Sequence, residues 1–203
     1  SGVYKVLIAL FVSPVLGLLI GFLITKLVFF LARNASLKIN IFFKHSQVIT
    51  GLGLALSHGA NDAQKSMGII TLGLLVSGVI TDFTVPLWVI VVSATAMAIG
   101  TSIGGWRLIR TLGGRFYKIK PIHGFTAQVS SAAIILGAAL LGGPVSTTQV
   151  VSSAILGAGS AQRVNMVRWG VAGNILLTWV ITIPVTMLLS FGVYWLMKVL
   201  FAL

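Results

Sequence analysis

The sequence predicts an all-α, polytopic membrane protein with a broken helix and a re-entrant helical hairpin. Three features of the chain carry that fold class. Of its 203 residues 57% are hydrophobic and only 8% charged, and the mean hydropathy is +1.07. Apolar runs long enough to cross a bilayer recur from end to end. The basic residues fall in short clusters between those runs. The net charge of +12 invites a nucleic-acid partner, but such clustering is the positive-inside pattern of a multi-pass cell-membrane protein. Nucleic acid is therefore excluded and membrane lipid is the expected surrounding. With no cysteine, disulfides and thiolate metal sites are excluded too.

Residues 3–32 form the first span, longer than a perpendicular crossing needs, so tilt or a bend near Pro14 is expected. The chain opens on Ser1-Gly2 and this run is too long for a signal peptide, which predicts a processed product or a piece of a longer protein. Gly17 and Gly21 make a small-xxx-small pair that would admit another helix closely, or are simply two glycines of a Gly-rich chain. A basic cytoplasmic loop over 33–45 follows, marked by Arg33, Lys38 and Lys44, with Ile39, Ile41, Phe42 and Phe43 at the interface and His45 wet. The second span runs to about Ile80. Residues 81–85 carry no basic side chain, and Asp82 is expected to cap the helix opening at Pro86.

The third span, 86–105, closes on Trp106 at the interface. Residues 106–121 form the second basic cytoplasmic loop, with Arg107, Arg110, Arg115, Lys118 and Lys120, and His123 beyond it reads as interfacial. Residues 122–141 are apolar with a polar stripe of Thr126, Gln128, Ser130 and Ser131. A Gly142-Gly143-Pro144 break and a short apolar run, 150–158, come next. Because the 160–168 connection is basic again (Arg163, Arg168), the segment 122–158 should leave the cytoplasm and return, as a re-entrant hairpin. The stretch 169–203 is long enough for one bent helix at Pro184 or for a broken pair.

The chemistry concentrates in two places. The first is 57–68, Ser57-His58-Gly59-Ala60-Asn61-Asp62-Ala63-Gln64-Lys65-Ser66-Met67-Gly68. It sets one of the chain's two carboxylates at membrane depth, where an ionisable group normally faces a cavity or an ion pathway. Gly59 and Gly68 loosen the backbone, and Asp62 is a natural N-cap where a helix breaks and restarts. A single kinked helix with Asp62 neutralised by Lys65 is the alternative. The second place is the hairpin tip, where Pro144 pre-sets a helical φ and Ser146, Thr147 and Thr148 follow within one turn. A helix N-terminus with three hydroxyls beside it binds a tetrahedral oxyanion without a buried Arg or Lys. Two breaks converging near the midplane is a transporter architecture. Asn61, Ser146, Thr147 and Thr148 are thus the candidate substrate ligands, and Asp62, Lys65 and Gln128 the candidate ion-coupling residues. No nucleophile–base pair, metal-ligand cluster or nucleotide loop suggests an enzyme. No cofactor is expected beyond a co-transported proton, sodium or divalent metal.

Gly59-Ala60-Asn61-Asp62 and Pro144-Val145-Ser146-Thr147-Thr148 resemble the two signature motifs of the inorganic phosphate transporter (PiT) family, over roughly residues 51–184. The likeness is to the second, C-terminal repeat of a bacterial or archaeal low-affinity phosphate permease. It implies one unit of an inverted-repeat pair, phosphate as substrate bound between the repeats, and a complementary first repeat as partner; dimers of full transporters stay open. It implies ion-coupled symport, with sulfate permeation or a passive anion channel as alternatives. The family's motif continues Val-Ala-Asn-Ala where this chain has Ala63-Gln64-Lys65-Ser66. Lys65 replaces an amide that could ligate sodium, so protons or a metal-phosphate complex are favoured over sodium.

Overall fold

The computed structural model describes residues 2–36, 38–143 and 145–201. They form α1 (Gly2–Leu31), α2 (Ile39–Val76), α3 (Leu87–Gly114), α4 (Pro121–Leu140), α5 (Thr147–Gln162), a 3₁₀ turn at Val164–Met166 and α6 (Trp169–Phe201). No strand occurs among the described residues, so the all-α expectation holds. Among the described residues, four helices have stretches long and apolar enough to cross a membrane: Ile8–Leu31, Leu87–Trp106, Pro121–Leu140 and Trp169–Leu200. This is a multi-pass membrane protein. The first five helices make one compact unit and α6 another.

Within the first unit α5 is the centre. It packs lengthwise on α1 and also meets α4 and α2. Its 16 residues span about 24 Å, less than the ~30 Å hydrocarbon core of a bilayer. The approach to α1 is backbone to backbone. A β-carbon added at Gly17 would stand 2.8 Å from the Val150 carbonyl oxygen, one at Gly21 would stand 2.6 Å from that of Ala154, and one at Gly157 would collide with that of Leu18. The small-xxx-small pair therefore has its partner. Ile134, Ile135, Val145 and Val150 form an apolar core where α4 meets α5. The outward faces of α1 and α3 are lined by exposed apolar side chains such as Phe11, Leu23, Val91 and Ile103, as lipid-facing surfaces are.

Several boundaries differ from the sequence reading. The break at 59–62 is absent: α2 is one helix of 38 residues, with no proline inside it. Asn and Asp disrupt helices by bonding local backbone, but here the Asn61 amide donates to the Asp62 carboxylate and to the distant Val145 carbonyl, leaving the helical ladder intact. The basic stretch 33–45 is helical from Ile39 onward, and α3 continues to Gly114, so the second basic connection is 115–120. Arg and Leu are good helix formers and extend helices beyond the apolar span. Asp82 does not cap α3; it lies four residues before Pro86 and its carbonyl accepts from the Thr84 N–H at 2.8 Å. α6 runs unbroken through Pro184, and α1 through Pro14. His123 is buried rather than interfacial. Its ring meets Phe29 and Tyr117 edge-on, with centroids 5.9 and 5.4 Å away, and its Nδ1 accepts the Lys120 N–H at 3.3 Å. That bond closes the start of α4, so the imidazole folds inward.

Candidate functional site

The hairpin tip is built by two complementary helix ends. α4 stops in a Schellman arrangement: Gly142 takes φ +66°, the Gly143 N–H donates to the Ala138 carbonyl at 2.8 Å and the Gly142 N–H to that of Ala139 at 3.1 Å. Glycine is what that left-handed turn requires. Pro144 lies outside the described residues. Ser146 is the extended residue before α5, with no side-chain cap of its own. The first helical bond runs from the Val150 N–H to the Ser146 carbonyl at 3.0 Å. The N–H groups of Thr147, Thr148 and Gln149 thus have no acceptor within the helix, and the positive end of the α5 dipole lies at the tip.

α2 brings Asp62 against that end. One carboxylate oxygen, Oδ1, accepts from Asn61 Nδ2 at 3.0 Å and from Lys65 Nζ at 3.1 Å. The other, Oδ2, accepts from Thr147 Oγ1 at 3.2 Å and faces His58 Nδ1 at 3.5 Å. The same two donors that hold Oδ1 also hold the tip: Asn61 Nδ2 donates to the Val145 carbonyl at 3.2 Å and Lys65 Nζ at 2.6 Å. Two donors and two acceptors close a four-cornered clasp between α2 and the hairpin. Asn61 and Thr147 are buried, 4% and 3% exposed, whereas the Asp62 and Lys65 side chains keep 25% and 39% of their surface open. That open side faces a cavity of about 360 Å³ lined by Leu10, Asp62, Lys65, Val145, Ser146, Thr147 and Thr148.

The ammonium and the carboxylate cancel in charge. An anion entering the cavity is met by helix N–H groups and hydroxyls, which is how helix N-termini bind oxyanions. The Asp62 carboxylate and the Val145 carbonyl are cation-binding oxygens, and the Lys65 ammonium stands between them. The residues singled out in the sequence, Asn61, Asp62, Lys65, Ser146, Thr147 and Thr148, come together although the two groups lie some eighty positions apart. Gln128 is not among them. Its Oε1 accepts from Thr50 Oγ1 at 2.5 Å, and Thr50 precedes Asp62 on α2 by twelve residues, about 18 Å along a helix. Gln128 serves the α2–α4 contact.

Three participants were missed. His58 sits one turn before Asp62 on the same face, a spacing the sequence already carries. Val145 contributes through its main chain and carries no sequence signal. Leu10 borders the cavity from α1. Its signal is Pro14, which has no N–H to offer the carbonyl four residues back.

A family model described as "Phosphate transporter family" matches residues 32–190. A Bacillus subtilis (strain 168) protein named as a probable low-affinity inorganic phosphate transporter is 43% identical, over 99% of this chain and 61% of its own length. A Rhizobium meliloti (strain 1021) protein of the same name is 40% identical over 94% of this chain and 58% of its own. A solved structure titled "The sodium-dependent phosphate transporter" superposes with a TM-score of 0.79 at 25% identity, covering 97% of this chain and 66% of that one. The chain thus spans about three-fifths of the length of these curated relatives.

Proposed function

The chain belongs to the phosphate transporter family, and on that premise we propose that it forms one half of a secondary active transporter for inorganic phosphate. The observation that carries the reading is the seating of Asp62 against the N-terminus of α5, beside a cavity lined by Ser146, Thr147 and Thr148. The helix N-terminus and the hydroxyls take the oxyanion, while Asp62 takes the charge of the coupled species. The hairpin of α4 and α5 enters and leaves the membrane on the cytoplasmic side, with its tip at the site. The other half of the binding surface comes from a complementary repeat of opposite topology.

Proton or metal-phosphate coupling is favoured over sodium. The similar solved structure is titled sodium-dependent, but Lys65 here already supplies a positive charge to Asp62. Sulfate is the nearest competitor, because a helix N-terminus and hydroxyls suit any tetrahedral oxyanion. A passive pore would use the same groups as a filter but would not concentrate its ion. The test is uptake of labelled phosphate into vesicles holding the full protein, with sulfate as competitor and with sodium and pH varied independently. Concentrative, saturable uptake that responds to pH and is little affected by sulfate is expected. Uptake that only equilibrates would make the protein a channel, and preferential sulfate uptake would make it a sulfate permease.

A further inference from the structure

We infer that Lys65 is a tethered cation: its ammonium occupies the position between the Asp62 carboxylate and the hairpin-tip carbonyl that a free monovalent cation would otherwise fill. The inference rests on the transport reading above and deepens it, because it assigns the cation of this half-site to the protein itself.

The geometry of Nζ separates this from an ordinary helix-surface ion pair. A Lys three residues after an Asp pairs with it on one helix and gains little from doing so. Here the same ammonium reaches past its carboxylate to the main-chain oxygen of Val145, at 2.6 Å against 3.1 Å for Asp62 Oδ1. The shorter bond is the one to the other element. Val145 stands in the non-helical tip between α4 and α5, so its carbonyl is not claimed by a helical ladder. A carboxylate oxygen from one element and a loop carbonyl from another, both also accepting from the Asn61 amide, converge on one positive centre at the wall of a cavity and are two of the hard oxygen ligands that alkali cations select. The Leu10 carbonyl, deprived of its helical donor by Pro14, belongs to a third residue of the same wall.

An ammonium satisfies the electrostatics of such a place but cannot leave with the substrate. It also fills it: with Nζ bonded to both oxygens, no volume remains for a second cation between them. Lys65 thereby decides cation selectivity at Asp62 Oδ1 and leaves Oδ2, which faces Thr147 and His58, to the coupled species. A neutral amide of similar reach, as in Lys65→Gln, would remove the charge and leave a carbonyl oxygen in its stead. The carboxylate, the tip carbonyl and that new oxygen would then accept sodium.

The test measures thermal unfolding of the purified full-length protein, titrated with sodium chloride against choline chloride at constant ionic strength and without phosphate. Wild type and Lys65→Arg should show no sodium-specific rise in Tm that depends on Asp62. Lys65→Gln should show a saturable one, as mass action requires of a ligand that binds only the folded state. A Lys65→Gln protein that responds to sodium no more than wild type overturns the inference. A saturable sodium response in wild type that is lost in Asp62→Asn places sodium at this carboxylate and overturns it as well. A separate titration of wild type with phosphate in sodium-free buffer tests the anion site. Absence of a phosphate response there would count against the transport reading, whichever way the sodium arms fall.

Discussion

Asp62 is met by four side chains, and each of its oxygens has a different task. Oδ1 is tied to Asn61 and Lys65 in the clasp, while Oδ2 faces Thr147 and His58. Replacing Asp62 with Asn keeps the shape but removes the charge proposed to bind the coupled species. Accumulation of phosphate should therefore be lost more completely than exchange across the membrane, as paired uptake and counterflow assays would register; equal loss of both would deny Asp62 a coupling role. Thr148 is exposed to the cavity and Thr147 reaches Asp62. Changing both to Val preserves volume and deletes the hydroxyls. A hydrogen bond to a charged group is worth roughly 1.5–3 kcal/mol, so phosphate affinity should fall by about tenfold or more. Unaltered phosphate binding by a well-expressed double variant would remove the hydroxyls from the anion site.

At the scale of elements, the α1–α5 contact is the seam the hairpin depends on. Main chain faces main chain there, so nothing flexible can yield to an added methyl. Gly157→Ala should destabilise by about 1–3 kcal/mol, the usual cost of overpacking, and lower Tm by several degrees in detergent. Gly53→Ala on α2 meets open space and should be neutral or stabilising by up to about 1 kcal/mol. If both variants behave alike, the close approach is not what holds α5 in place. The 115–120 connection is fastened by Tyr117, which is buried and donates to the Ile155 carbonyl at 2.9 Å. Burial pushes the Tyr117 phenol above its ordinary value. The unfolded chain then releases this proton first, so the stability it contributes is present below about pH 10 and lost as pH rises further. Tyr117→Phe should cost about 0.5–1.5 kcal/mol at neutral pH and flatten the decline in Tm above pH 10. An unchanged alkaline slope would show that Tyr117 does not govern it.

For the whole molecule the question is what completes the site. The cavity is open on one side, and the transport reading requires a repeat of opposite topology to close it. Some small transporters meet that need by inserting one chain both ways round. Here Lys and Arg concentrate at 33–44, 107–120 and 163–168, while 81–85 carries none, so insertion should be one-sided. Vesicles holding this chain alone should show no saturable phosphate uptake, and uptake should return when the complementary repeat is supplied. Cysteines placed by Asp82→Cys and Lys118→Cys should be labelled from opposite faces of the membrane. Robust uptake by the isolated chain, with both cysteines reachable from both faces, would mean that a second copy supplies the missing half.

The sequence by itself determined the all-α membrane fold class and singled out residues in both halves of the candidate site. Hydropathy reports directly on transfer into lipid, and a carboxylate or a Ser-Thr-Thr run in an apolar chain stands out because its placement there is costly. Tertiary structure alone decided that α2 stays whole. Whether Asn61 and Asp62 break a helix depends on where their side chains find partners, and that partner was Val145, 84 positions away from Asn61. Tertiary structure also sent Gln128 to Thr50 and turned His123 inward. A polar residue on an amphipathic face advertises only that it needs a partner, not which one. The Val145 carbonyl was invisible for a further reason: main-chain oxygens are the same at every position, and only the path of the chain can bring one to a site.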